Sequence, residues 1–367
     1  AKEAEGALDT IALDRALAIR DVVRKRRGVA PAPDADDARG AEESTAPALL
    51  FAMDGRRVLI AGLFNFSLAI IAALFGASQT VGDVVGFDPF SRSFWVSAMA
   101  SAEPLRDYVL AHRFAAAVGG TLVLLAIGVS TGIVRTWLRE HGFRLERNPA
   151  GFRRRRGLLT LTDVTIPAKR VQASLLATGP IRRAFGWFEF KLQSLASDGG
   201  QGSHVVAPLA RPEEAAAIQH SLGRPLWPQE GSWNPYPRAY FTSGIAVLAA
   251  MLAASVVAGA LLSPWAFLGS LGLGALGVAR WLEWRRSRYA LADGHLFLDS
   301  GWWKQRLAVV PVDRIQSIDI TENGWTRLFG FARMRFGVAG GSLLSAFAID
   351  ALLPDDARQL RERLVAR

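Results

Sequence analysis

Cysteine is absent from this chain of 367 residues. That excludes disulfides, thiolate chemistry and cysteine-ligated zinc. Histidine is scarce as well: His112, His141, His204, His220 and His295 are scattered, with no i, i+4 pair and no carboxylate at ligand spacing, so no metal site is expected. No glycine-rich phosphate loop follows a strand and opens a helix. Gly199-Gly200-Gln201-Gly202 reads as a hairpin tip and Gly340-Gly341 as a turn. No elbow motif announces a nucleophilic serine. The expectation is a protein that is not an enzyme and carries no cofactor.

Negative charge is in the minority. There are 33 acidic residues against 43 Lys plus Arg, a formal net charge of +10, and the pI is about 10.7. Nucleic-acid binding interleaves basic residues with exposed aromatics on one surface. Here the basic residues gather at the ends of long apolar runs instead, so no nucleic-acid partner is expected. Half of the residues are apolar, and the mean hydropathy is +0.19. They concentrate in four blocks, 58–77, 114–134, 241–262 and 265–282. A helix crossing the hydrocarbon layer needs about 20 residues. Three blocks meet that length; the fourth leans on snorkelling by Arg280 and anchoring by Trp281 and Trp284. The blocks show no polar face at helical spacing, unlike the helices of a soluble bundle. None resembles a cleaved signal sequence, because none is N-terminal.

Arg56, Arg57, Arg135, Arg139, Arg238, Arg280, Arg285, Arg286 and Arg288 flank the outer ends of these blocks. The positive-inside tendency places those flanks in the cytoplasm, so two hairpins, 51–142 and 241–286, hang cytoplasmic domains from an inner membrane. Small residues at helical spacing, Gly128 with Gly132 and Ser270 with Gly274, permit close helix contact and leave a homo-oligomer open. No Asp, Glu, Lys or His lies mid-membrane, which argues against an ion-coupled transporter.

The chain repeats itself. Gly157 to Ala196 aligns without a gap on Gly301 to Gly340 at an offset of 144, with seven of 40 positions identical. The shared residues are Gly157/Gly301, Pro167/Pro311, Arg170/Arg314, Gln172/Gln316, Arg183/Arg327, Phe185/Phe329 and Gly186/Gly330. Turn formers and basic residues dominate, as expected of one fold used twice. Each copy, 143–223 and 287–367, reads as six or seven short strands and a C-terminal helix opened by proline and acidic residues, a strongly bent sheet or barrel plugged by that helix. Residues 224–240 read as a linker. At the N-terminus, 1–28 is an amphipathic helix, read either as the closing helix of an upstream third copy or as a free-standing helix. Residues 29–50 have the composition of a disordered linker.

A Pro-x-x-Arg-[Val/Ile]-Gln motif (Pro167, Arg170, Gln172; Pro311, Arg314, Gln316) is followed about 15 residues on by a Phe-Gly turn (Phe185-Gly186; Phe329-Gly330), a strand and a helix, each time behind an apolar hairpin. This resembles the bacterial pleckstrin-homology-like membrane proteins of the YdbS/YdbT type. The resemblance implies a seven-stranded barrel closed by one helix and used for binding. It does not imply phosphoinositide recognition.

The first copy carries 12 Lys plus Arg against 6 acidic residues, and the second 11 against 9. Arg153, Arg154, Arg155 and Arg156 are the densest run. They read as a docking face for anionic lipid or another anionic partner, or as edge and topology charges; on a strand at most two of them share a face. Lys169, Arg182 and Arg183 are further candidates, and Arg170 and Arg314 read as structural. Two functions remain open: a scaffold presenting these domains to protein partners or anionic lipid, and a subunit of a transport or export system.

Overall fold

The computed structural model describes residues 48–66, 96, 111–149, 151–195, 203–229, 232–261, 266–339 and 347–366. The helix expected at 1–28 and the linker as far as 47 lie outside the described residues, as does most of the first apolar block.

A strand comes first. β1 (Ala48–Ala52) leads into α1 (Gly55–Leu63), whose N-terminus is capped by Asp54 accepting from the Arg57 amide at 3.0 Å. α2 (Arg113–Glu140) returns to the strands β2 (Arg144–Asn148), β3 (Gly151–Arg156) and β4 (Thr162–Pro167). A single 3-10 turn leads to β5 (Val171–Thr178), the short helix α3 (Pro180–Ala184), β6 (Phe188–Ser194), β7 (Ser203–Ala210) and α4 (Pro212–His220). The order then recurs: β8 (Asn234–Pro235), α5 (Arg238–Leu261), α6 (Ala266–Arg286), β9 (Arg288–Ala292), β10 (His295–Ser300) and β11 (Gln305–Pro311). After the second 3-10 turn come β12 (Ile315–Thr321), α7 (Gly324–Phe329), β13 (Ala332–Val338), β14 (Phe347–Leu352) and α8 (Pro354–Val365). β2, β3 and β6 fall on β9, β10 and β13 residue for residue at the offset of 144.

Each copy therefore begins one strand before its helices. β1 pairs with β2 and β8 with β9, both antiparallel, so the helical pair is inserted between two hydrogen-bonded neighbours of a sheet. The expected linkers 29–50 and 224–240 accordingly contain structure: β1 covers 48–50, β8 covers Asn234–Pro235, and α5 starts at Arg238. Those first strands are too short and irregular to show a period in the sequence.

The strands do not close into two separate barrels. Seven per copy are present, four plus three, but the sheets run β1-β2-β3-β4, then β7-β6-β5-β11-β10-β9-β8, then β12-β13-β14. The middle sheet is built from both copies. Its seam is the antiparallel pair β5 and β11, with Thr178 opposite Gln305 and Ser174 opposite Val309. One face of this sheet sends Ala290, Phe297, Leu307 and Val309 into the core of the first copy, with Phe143, Phe152, Phe190 and Leu192. The other face sends Tyr289, Leu296, Leu298, Ala308 and Val310 into the core of the second, where Ala173 from β5 joins them. A strand covered on both faces has no solvent side to mark with polar residues, which is why Leu296-Phe297-Leu298 of β10 and Leu307 to Val310 of β11 are apolar at consecutive positions, while β3 and β4 carry Arg153, Arg155, Asp163 and Thr165 at their outward ones.

Among the described residues two helices are long and apolar enough to cross a membrane, Ala117–Glu140 and Arg238–Leu261. Their apolar side chains, such as Leu122, Val123, Val256 and Val257, face outwards. The helix expected across 58–77 stops at Leu63, and Phe64 caps it. α1 packs antiparallel on α2 at close range: a Cβ on Gly62 would come within 2.7 Å of Ile133, and one on Gly132 within 2.4 Å of the Asn65 carbonyl. Gly128 and Gly132 are thus occupied where α2 meets α1 and the residues just after it. In the second hairpin Ser270 donates to Ser255 at 3.2 Å, and a Cβ on Gly274 would meet nothing. Arg280 is engaged between the two helices. It lies over the Tyr240 ring at 3.7 Å and donates to the Tyr240 carbonyl at 3.0 Å, pinning α6 to α5.

Candidate functional site

The four arginines of β3 divide by strand alternation. Arg153 and Arg155 point outwards and Arg154 and Arg156 inwards. Across the outward face Arg155 stands between Arg144 and Asp163, and Arg153 between Glu146 and Thr165. Arg153 donates through Nε to both Asp163 oxygens, at 3.0 and 3.1 Å, and this hydrogen bond holds the Asp163 carboxyl below the usual carboxylate range. At the equivalent positions of the second copy stand Phe297, Asp299 and Leu307, which are buried against the first. The outward face of the first sheet is thus the uncovered version of a surface that is an interdomain contact in the other copy.

The inward pair ties β3 to its surroundings, Arg154 to strand β7 and Arg156 to helix α2. Arg154, 6% exposed, donates to the Val205 carbonyl at 2.9 Å, and burial followed by the nearby Arg156 charge pushes its pKa down to about 10. Arg156 pairs with Glu140, the last residue of α2, at 2.7 Å. Neither is available to a ligand.

Lys169 and Arg170 are exposed on the 3-10 turn that follows Pro167. Gln172 is buried and donates to the Arg170 carbonyl at 3.1 Å, a local brace for that turn. Its counterpart Gln316 is exposed, and Arg314 pairs with the neighbouring Asp313 at 3.2 Å behind Pro311. One motif thus has different duties in the two copies. Gly186 and Gly330 adopt left-handed φ of 68° and 71°, which explains glycine at both turns. The preceding aromatic is not tucked under in the first copy: Phe185 is 62% exposed, its ring 6.1 Å from Phe64 at the end of α1. Phe329 is half-buried against Trp325.

Arg182 and Arg183 on α3 diverge. Arg182 donates to Asn65 at 2.7 Å, and burial lowers its pKa. Arg183 reaches across the seam to Gln305 of β11 at 3.3 Å. Cavities of about 370 and 400 Å³ open where each hairpin meets its domain. The first is lined by Arg135, Arg139, Arg182, Glu140 and Glu189; the second by Arg280, Arg333, Arg335, Glu322 and Asp350. Both mix the two signs, so neither selects an anion by charge alone. Ile181, Leu159, Trp303, Trp325 and Leu328 are exposed, and Trp325 lines the second cavity.

Sequence reasoning passed over Asn65, which also donates to Thr136 at 3.0 Å. It passed over Trp187 too, whose ring lies between Arg211 at 4.0 Å and Arg57 at 5.4 Å, with Arg57 paired to Glu214 at 2.8 Å. The one available signal was the aromatic following the glycine of the Phe-Gly turn. Among the described residues no group of His, Asp and Glu is placed to hold a metal ion.

The family described as bacterial PH domain matches twice, over residues 96–226 and 243–367. The chain belongs to the bacterial PH domain family. Both matches take in a hairpin helix as well as the strands, in keeping with helices inserted into the bacterial PH domain. The UPF0699 transmembrane protein YdbT of Bacillus subtilis (strain 168) is similar, 23% identical over 100 residues, which is 26% of this chain and 20% of that protein. The similarity thus spans about a fifth of the relative's length. No solved structure matches. The chain is a membrane protein built on two bacterial PH domains.

Proposed function

We propose that this is a multi-pass protein of the bacterial inner membrane whose bacterial PH domains lie in the cytoplasm and hold a protein partner at the membrane rather than catalysing a reaction. The carrying observation is the outward face of the first sheet, an exposed, flat and charged surface whose counterpart in the second copy is an interface already filled. Its chemistry favours a protein over a lipid. Arg144, Arg153 and Arg155 stand against Glu146 and Asp163, a net of one positive charge in a two-sign pattern. Complementary patterns of that kind give specificity and association rate. Orientation rests on the arginines at the bases of both hairpins, including Arg56, Arg135, Arg285 and Arg286.

A photoreactive residue at position 155 of the full chain, activated in native membranes, tests this. One discrete cross-linked protein is expected, lost when Arg144→Glu and Arg153→Glu are added. Cross-links to lipid alone, or solute flux through proteoliposomes of the pure chain, would replace this reading with lipid docking or transport.

A further inference from the structure

The seam builds a cavity that neither copy has alone. About 340 Å³ in volume, it is lined by Arg183 of α3, Arg285 and Arg286 in the last turn of α6, Arg288 of β9, Asp299 of β10 and Gln305 of β11. Pairing β5 with β11 carries α3, which follows β5, to the base of the second hairpin.

Asp299 is 2% exposed and is the single carboxylate of the lining. It accepts from Arg288 Nε at 3.1 Å and from Gln305 Nε2 at 3.1 Å, and the Gln305 carbonyl oxygen accepts from Arg183 at 3.3 Å. One arginine is neutralised in this way. Among the described residues Arg183, Arg285 and Arg286 have no carboxylate partner, whereas Arg57, Arg153, Arg156 and Arg333 each have one. Four arginines against one aspartate leave a net of three positive charges in one cavity. Burial, then the charge of Arg286, lowers the pKa of Arg183. The first copy has Arg155 and Gly142 where the second has Asp299 and Arg286, so the feature belongs to the junction and not to the repeat.

Guanidinium groups converging on a partly enclosed space match the oxygens of a phosphate in charge and in fork geometry. The place selects the kind of phosphate. Arg285 and Arg286 end α6, the helix packed against the membrane-long α5, and Trp303, two residues before Gln305, is 58% exposed. We propose that this cavity binds the headgroup phosphate of an anionic phospholipid, with Arg183, Arg285 and Arg286 as donors and Asp299 holding Arg288 and Gln305 behind them. The inference rests on the membrane placement given above and is independent of the outward face of the first sheet.

The test uses the full chain, stripped of lipid in detergent, with thermal unfolding followed as phosphatidylglycerol, phosphatidylcholine or inorganic phosphate is added. Phosphatidylglycerol is expected to raise the midpoint where phosphatidylcholine does not. The triple variant R183Q/R285Q/R286Q should weaken that preference at least about tenfold, and R183K/R285K/R286K should keep most of it. An unchanged preference in the glutamine variant overturns the site. Stabilisation by inorganic phosphate with none by phosphatidylglycerol assigns a free anion and overturns the lipid. If the triple variant fails to fold, the exposed single change Arg286→Gln is read instead by mass spectrometry of lipid retained on purification, where equal retention overturns the proposal. R153Q/R155Q should leave the lipid preference intact, which separates this site from the protein-docking face.

Discussion

At position 154 the first copy has an arginine where the second has Leu298, and both side chains are buried to the same degree. The arginine makes one bond there, to the Val205 carbonyl, and its Nε has no partner. Burying a cation with incomplete compensation costs more than packing a hydrocarbon of similar size. Arg154→Leu is therefore expected to stabilise the chain by about 1–3 kcal/mol, seen as a higher unfolding midpoint in detergent. The folded-state pKa, about 10, lies below that of an arginine in the unfolded chain, so the wild type gains stability as pH rises above about 10. The advantage of the leucine variant is constant below about 10 and shrinks above it, and a gap that widens there would contradict this assignment. That two of the four arginines face inwards follows from strand alternation alone. Their partners do not, because Val205 lies 51 positions from Arg154 and no local spacing links them.

At the scale of elements, the seam between β5 and β11 decides the architecture. It joins edge strands that would otherwise expose unpaired amides and carbonyls, so each copy protects the other. Leu175 and Ala308 are register partners across it. Since the chain has no cysteine, the pair Leu175→Cys with Ala308→Cys is unambiguous: oxidation followed by cleavage between the copies should leave one band that separates on reduction. Two bands without reductant would break the seam as described. The repeat itself was legible, down to strands that recur at the offset of 144, because turn glycines, prolines and basic residues preserve it. The seam was not, since backbone hydrogen bonds leave no residue type behind. Its trace is indirect: consecutive apolar residues at 296–298 and 307–310 in β10 and β11, against charged or polar residues at the outward positions of β3 and β4.

For the molecule as a whole, two copies mean two shared cores rather than two independent domains. Phe297, Leu307 and Val309 belong by sequence to the second copy and by packing to the first. Residues 48–229 expressed alone should lose that cover, a deficit of about 5–9 kcal/mol for the three side chains at roughly 1.5–3 kcal/mol each. The fragment is expected to aggregate, and to recover when 232–367 is co-expressed. A monodisperse fragment with the midpoint of the intact chain would show the cores to be separable. A further copy stacked on the first sheet in the same way would have to bury Arg153, Arg155 and Asp163, so the outer face closes the stack where the inner one continues it.

Each helical pair leaves its sheet between adjacent strands, β1 with β2 and β8 with β9, and the seam puts β8 and β9 in the same seven-stranded sheet as β5, β6 and β7 of the first copy. The base of the second helical pair is thereby built into a sheet that the first copy completes, and Arg183 of the first copy meets Gln305 there at 3.3 Å.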